Sequence, residues 1–272
     1  MVSMVPIPER KPAAGRPKLR RPSKFLMFAE WRATLEFGFG VATLPALLTA
    51  PRGDGHPVLV LPGFLATDAS TDFMRRYLRQ LGYDAYPWDL GRNLGGVYSM
   101  RKRLRVLLKS IFERTGRPVS LVGWSLGGVY ARDMAFATPE RVRDVITLGS
   151  PFANDATATN ANELYEFFSG ESIGTAPDDD LDRLAGRLPM PSTSIYTKTD
   201  GVVNWRTCIG DVTATHENIE VFASHLGLGS NPAALWAIAD RLALPAGTYR
   251  SFERRGPFAL GYPALRASAA PA

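Results

Sequence analysis

Val119-Ser120-Leu121-Val122-Gly123-Trp124-Ser125-Leu126-Gly127-Gly128 is the stretch on which the reading of this 272-residue chain turns. Its first half is a short apolar, β-branched run suited to a buried strand. Its second half opens a helical pattern that continues to Ala137. A serine at that junction would sit on a strained strand-to-helix turn, and the small neighbours Gly123 and Gly127 leave room for it. Gly-x-Ser-x-Gly alone recurs by chance. The strand before it and the helix after it make Ser125 a candidate nucleophile, with the amide of Leu126 placed to stabilise an oxyanion.

Outward from Ser125 the chain alternates between strand and helix signals. Pro57 to Leu61 reads as a buried strand that stops at Pro62-Gly63. A helix is predicted from about Thr71 to Leu81, with Phe73, Met74, Tyr77 and Leu78 on one face. A strand at Asp84 to Trp88, a glycine-rich loop over 91–96 and a basic amphipathic helix from about Tyr98 to Thr115 follow. Beyond Ser125, strands are predicted at Val145 to Leu148, Ser194 to Thr197 and Ile219 to Ala223, then a helix from about Pro232 to Leu242. This pattern predicts an α/β fold with a mostly parallel sheet of about six strands flanked by helices. The segment over about 153–190 lacks strand character, and its Asp178-Asp179-Asp180 reads as a solvated surface run. Residues 247–272 read as an irregular tail.

Composition narrows the function classes. With 45% apolar residues the chain can bury one sizeable core, which is assigned to a domain over 51–246. The single cysteine, Cys208, excludes an internal disulfide framework, and three histidines form no zinc-like spacing, so neither metal nor cofactor is expected. The net charge of +6 is concentrated in residues 1–24, where seven Lys and Arg oppose only Glu9. That makes the start a basic flexible tail and leaves no nucleic-acid reading. Residues 25–50 are apolar, but Glu30, Arg32 and Glu36 interrupt them, so they read as an N-terminal helix docked on the body, with peripheral lipid contact as the functional alternative. Without a clear signal peptide or span, the expectation is a cytoplasmic protein.

Serine needs a base, and only His56, His216 and His225 are available. His56 and His216 precede strands, at the sheet edge opposite Ser125, and read as surface or wrong-end residues. His225 follows a strand, at the edge where Ser125 emerges. The acid should lie between Ser125 and His225 and follow a strand. Asp200 in Thr199-Asp200-Gly201-Val202-Val203 meets both conditions, with Asp211 and Glu217 as alternatives. The second oxyanion donor is assigned to the amide of Phe64, in the loop after the first strand.

Taken together, Leu61-Pro62-Gly63-Phe64, Gly123-Trp124-Ser125-Leu126-Gly127-Gly128, Leu148-Gly149-Ser150-Pro151, Thr199-Asp200-Gly201-Val202-Val203 and Ser224-His225-Leu226-Gly227 resemble the bacterial lipase and esterase branch of the α/β-hydrolase superfamily, over roughly residues 56 to 243. Pro62 departs from that branch, which commonly carries His before the oxyanion glycine. The two antiparallel strands that often begin the fold are not apparent. The resemblance implies a carboxylic ester hydrolase working through an acyl-enzyme on Ser125, without a cofactor, on a small-molecule or lipid ester. An acyltransferase on the same triad, or a non-catalytic binding protein on the same scaffold, are the alternatives. It also implies a small cap over about 153–190. Leu65, Trp124, Leu164, Phe167, Phe168 and Val202 are the candidate substrate-binding residues.

Overall fold

A computed structural model of the chain describes residues 19–153, 158–161, 165, 169 and 178–263. Its sheet has six strands: β1 (Pro57–Leu61), β2 (Asp84–Tyr86), β3 (Val119–Trp124), β4 (Val142–Leu148), β5 (Ser192–Tyr196) and β6 (His216–Glu220). They lie in the order β2-β1-β3-β4-β5-β6, and every pairing is parallel. The register aligns Leu61 with Gly123, Trp124 with Leu148, and Leu148 with Ile195. The loops that follow β1, β3, β4, β5 and β6 therefore all leave from one edge, where ligand sites of open parallel sheets lie.

Helices cover both faces, as parallel strands require. They are α1 (Lys24–Phe28), α2 (Ala33–Ala42), α3 (Leu44–Leu47), α4 (Asp68–Gln80), α5 (Val97–Thr115), α6 (Leu126–Ala137), α7 (Asp178–Ala185) and α8 (Pro232–Leu242). Strand β1 divides its side chains by its period of two. Val58 and Val60 join a core with Leu47, Met74, Tyr77, Leu78, Leu235 and Ile238, whereas Leu59 and Leu61 join one with Leu104, Leu108, Ile111, Tyr130 and Met134. Each such aliphatic or aromatic side chain contributes about 1.5–3 kcal/mol when fully buried. Helix ends carry their own signals. Asn231 caps α8 by accepting from the amides of Ala233 and Ala234 at 3.0 and 3.2 Å, ahead of Pro232 in the first turn.

Several expectations change in detail. Strand β2 ends before Pro87, which has no amide to continue a ladder. Strand β6 lies earlier than Ile219 to Ala223, because the Phe222 amide turns away to the carbonyl of Gly261. Asp178-Asp179-Asp180 opens helix α7, and acidic residues favour a helix N-terminus. The segment expected as one N-terminal helix is a strap of short pieces: α1, a 3₁₀ turn over Ala29–Arg32, α2 and α3. The described part of the C-terminal tail is packed, with Phe258 and Tyr262 buried in the core beside α8.

His56 is not a surface residue. It is fully buried, with Nδ1 at 2.5 Å from Asp54 Oδ1, Nε2 at 3.0 Å from Ser120 Oγ and its ring edge-on to Tyr83. His216 is also buried, with Nδ1 at 2.8 Å from Ser192 Oγ and Nε2 at 3.3 Å from Asn218 Oδ1. Burial, with the charge of Arg132 adding, lowers the His216 pKa from 6.5 to about 4. The unfolded chain takes up this proton first, so the stability contributed by neutral His216 is complete above pH 6.5 and is lost as pH falls towards 4. The difference in unfolding free energy between the protein and His216→Gln should therefore shrink between pH 7 and pH 4, by at most about 3 kcal/mol at about 1.4 kcal/mol per pH unit. Urea denaturation at both pH values reads it; a constant difference would contradict a neutral buried imidazole.

Candidate active site

Strand β3 ends at Trp124, α6 begins at Leu126, and Ser125 between them has φ 53° and ψ −122°. A non-glycine residue in such a conformation costs of order 1–3 kcal/mol and persists only where its surroundings impose it. Here they do. The Ser125 amide donates to the Leu148 carbonyl at 2.7 Å, and α6 lies so close to the sheet that a Cβ on Gly127 would overlap the Leu61 carbonyl. A Cβ on Gly123 would likewise overlap the backbone of Gly127 and Gly128. The small residues noted in the sequence are therefore needed for close backbone approach.

The structure brings Ser125, His225 and Asp200 together. His225 Nε2 is 3.0 Å from Ser125 Oγ, and His225 Nδ1 is 2.6 Å from Asp200 Oδ2. Asp200 and His225 are both buried, and Asp200 Oδ1 accepts the amides of Val202 and Val203 at 2.8 and 2.7 Å. Burial alone would lower the His225 pKa. The charge of Asp200, its hydrogen bond and the charge of Glu30 outweigh that and hold it above 6.5. The rivals to Asp200 are elsewhere: Glu217 pairs with Arg241 at 2.6 Å, and Asp211 lines a cavity with His216 at the opposite edge.

The loop after β1 passes over the serine, and a Cβ on Gly63 would lie 3.9 Å from Ser125 Oγ. Asn93 fastens this loop. Its Nδ2 donates to the Pro62 carbonyl at 2.9 Å, its amide to the Ala66 carbonyl at 2.8 Å, and its own carbonyl accepts the Leu65 amide at 2.6 Å. Leu65 is held at φ 60°, and its committed amide excludes it as an oxyanion donor. The Leu126 amide, in the first turn of α6, has no acceptor within the helix. In the sequence Asn93 is part of a glycine-rich loop over 91–96. Its only signal there is an amide side chain in a loop that is half glycine.

Trp124, expected to bind substrate, donates from Nε1 to the His225 carbonyl at 3.1 Å and so holds the backbone of His225. Val202 sits in the acid loop with its amide on Asp200. Leu164, Phe167 and Phe168 lie outside the described residues. Of the cap, Tyr165 is buried with its ring 5.6 Å from that of Phe64, and its hydroxyl accepts the amides of Gly96 and Val97 at 3.3 and 3.4 Å. Sequence reasoning also missed Glu30, Arg32 and Glu36, which it counted as interruptions of an apolar run. All three point at the loops that carry Asp200 and His225.

No family model and no curated protein matches the chain. Solved structures do. The chain is similar to Aspergillus fumigatus lipase B at 17% identity and a TM-score of 0.54, over 71% of this chain and 53% of that one. It thus spans about half the length of that lipase. It is also similar to a Paleococcus ferrophilus monoacylglycerol lipase (16% identity, TM-score 0.52, 71% of this chain and 96% of that one). A Bacillus licheniformis lipase in its mature form gives 15% identity and a TM-score of 0.51 over 71% of this chain and 94% of that one. With the six-stranded parallel sheet, these likenesses show an α/β-hydrolase fold, and the contacts of Ser125, His225 and Asp200 fit a catalytic triad.

An NMR titration of the imidazoles tests the electrostatics of this cluster without any substrate. His225 is expected to titrate above 6.5 and to fall in Asp200→Asn, because that change removes the largest of the opposing charges while burial persists. A His225 pKa at or below 6.5 in the unaltered protein would contradict the arrangement.

Proposed function

We propose that the protein hydrolyses carboxylic esters through an acyl-enzyme on Ser125. The observation that carries this reading is the unbroken relay from Ser125 Oγ to His225 Nε2 at 3.0 Å and from His225 Nδ1 to Asp200 at 2.6 Å. Ser125 Oγ adds to the ester carbonyl as His225 takes its proton, and Asp200 holds the imidazole's tautomer and stabilises the imidazolium. The amides of Phe64 and Leu126 receive the oxyanion. His225 then protonates the leaving alcohol as the C–O bond breaks, and a water deprotonated by His225 releases the acid and restores Ser125.

The acyl or alcohol part of the ester is assigned to a cavity of about 420 Å³ between α2, α4 and the loop after His225. Phe37, Phe73, Trp124 and Leu226 line it, within the size range of small-molecule sites. Trp124 and Leu226 are the chain neighbours of Ser125 and His225, which do not themselves line the cavity.

Active-site labelling by a fluorophosphonate and turnover of p-nitrophenyl esters from acetate to palmitate test the reading. Labelling should fall on Ser125. Ser125→Ala should lose labelling and leave at most about 10⁻³ of the wild-type kcat, since a missing triad member leaves only the catalysis of the oxyanion site and binding. Full activity in Ser125→Ala would reject it.

The outer side of the strap supports peripheral lipid contact as the way an apolar ester reaches the site. Phe25, Phe28, Trp31 and Leu35 are 77, 76, 60 and 62% exposed, close in the chain to Arg20, Arg21 and Lys24. Apolar rings beside cationic side chains suit an anionic bilayer surface. Sedimentation with vesicles of phosphatidylglycerol should exceed that with phosphatidylcholine and drop at least fivefold in Phe25→Ser/Phe28→Ser/Trp31→Ser. Equal sedimentation of that variant would remove the strap as the contact.

A further inference from the structure

Residues 20–36 cross the triad's two loops. The strap lies so close to the acid loop that a Cβ on Gly201 would overlap the backbone of Leu26 and Met27, and a Cβ on Gly227 would overlap the Glu36 carboxylate. Asn204 Nδ2 donates to the Arg20 carbonyl at 2.8 Å, and Asn160 Nδ2 donates to the carbonyls of Pro22 and Gly201 at 3.2 and 2.9 Å. Arg32 then donates to the Thr199 carbonyl at 2.8 Å and the Ala223 carbonyl at 3.0 Å, one on each loop. Glu36 accepts the Ser224 amide at 2.7 Å.

Glu30 occupies the centre of this contact and is 5% exposed. Its Oε1 accepts the Gly201 amide at 2.8 Å and the His225 amide at 3.0 Å, and its Oε2 accepts the Leu226 amide at 2.8 Å. Gly201 follows Asp200, so one carboxylate joins the backbone beside the acid to the backbone of the base itself. An ionised carboxylate has acceptors only, and it can take several amides at once. A glutamine offers one acceptor oxygen and turns an NH₂ towards a loop amide that needs an acceptor. Leaving such a buried donor unpaired is costly, and the loop is expected to shift to relieve it.

We propose that Glu30 is a positioning residue of the catalytic triad, its carboxylate fixing the Asp200 and His225 loops relative to each other from the N-terminal strap. The role rests on the hydrolase reading above. It is distinct from holding the strap down, because the amides that Glu30 accepts include that of His225 itself. A displacement of either loop lengthens the 2.6 Å contact between His225 and Asp200 or the 3.0 Å contact between His225 and Ser125, and small misplacements of reacting groups are expensive in rate. The negative charge of Glu30 also favours the imidazolium that forms when Ser125 attacks. The charged and titratable groups about His225 are Asp200 from the acid loop, Ser125 from the elbow and Glu30 from the strap, with Arg32 and Glu36 on the neighbouring backbone.

Glu30→Gln and Glu30→Asp separate the contributions, since aspartate keeps the charge but is one methylene shorter. In p-nitrophenyl butyrate hydrolysis, Glu30→Gln should lower kcat at least tenfold with KM within threefold. The acid limb of its kcat/KM profile should move to lower pH. Glu30→Asp should lose comparable kcat with a smaller movement of that limb. Thermal melts establish that each variant is folded at the assay temperature. A folded Glu30→Gln with wild-type kcat and an unmoved limb overturns the proposal, and if only Glu30→Asp folds it is judged by its kcat. Failure of both to fold makes Glu30 a stability residue and also overturns it. Should the unaltered protein neither label at Ser125 nor turn over ester, the hydrolase reading fails on its own. The His225 titration by NMR, expected to fall in Glu30→Gln, still tests the contact between Glu30 and the base.

Discussion

Helix α6 can start where it does only because its first turn carries no side-chain bulk towards the sheet. Gly127 meets the Leu61 carbonyl at the end of β1, and Gly123 meets the backbone of the same turn from beneath. That backbone-to-backbone approach drives Ser125 to φ 53°, and so aims its hydroxyl out of the sheet edge while the Leu126 amide opens the helix beside it. The site depends on this close contact. It places an unfavourable backbone conformation under a packed two-faced core, whose burial is ample to hold a strain of a few kcal/mol.

The second requirement is that loops from strands far apart in the chain meet at one point. Parallel pairing brings the ends of β3, β5 and β6 to a common edge, but a sheet edge alone does not set the last ångström. Polar side chains with several backbone partners do that here. Asn93 secures the loop after β1, Asp200 accepts two amides of its own turn, Trp124 holds the His225 carbonyl, and Glu30 with Arg32 and Glu36 spans the acid and base loops. Most of these bonds end on backbone groups, which neighbouring side-chain changes do not remove.

Much of this was legible in the sequence because a parallel sheet orders its chemistry by strand ends. Ser125, Asp200 and His225 each follow a predicted strand, and a place after a strand instead of before one singles out one histidine of three. What was not legible were interactions without a local pattern. Glu30 and its partners Gly201 and His225 are separated by 171 and 195 residues, so its charge read as an interruption of an apolar run. The sequence places His56 at the correct sheet edge but does not show its burial, which depends on Asp54, Ser120 and Tyr83 closing around it. The end of strand β6 is hidden for a similar reason. Val221 still donates to the Tyr196 carbonyl of β5, and the ladder is left only at Phe222, whose amide turns to Gly261, while Val221 and Ala223 remain buried.

The strap precedes the whole sheet in the chain, yet Glu30 and Glu36 accept the amides of Gly201, Ser224, His225 and Leu226, in the loops that follow β5 and β6. Contacts of such long separation close late, because the loop entropy between their ends must be overcome first. The strands and their covering helices can therefore assemble while Ser125, His225 and Asp200 still lack their final spacing. Recovery of secondary structure on refolding is then a separate event from recovery of the final spacing among Ser125, His225 and Asp200.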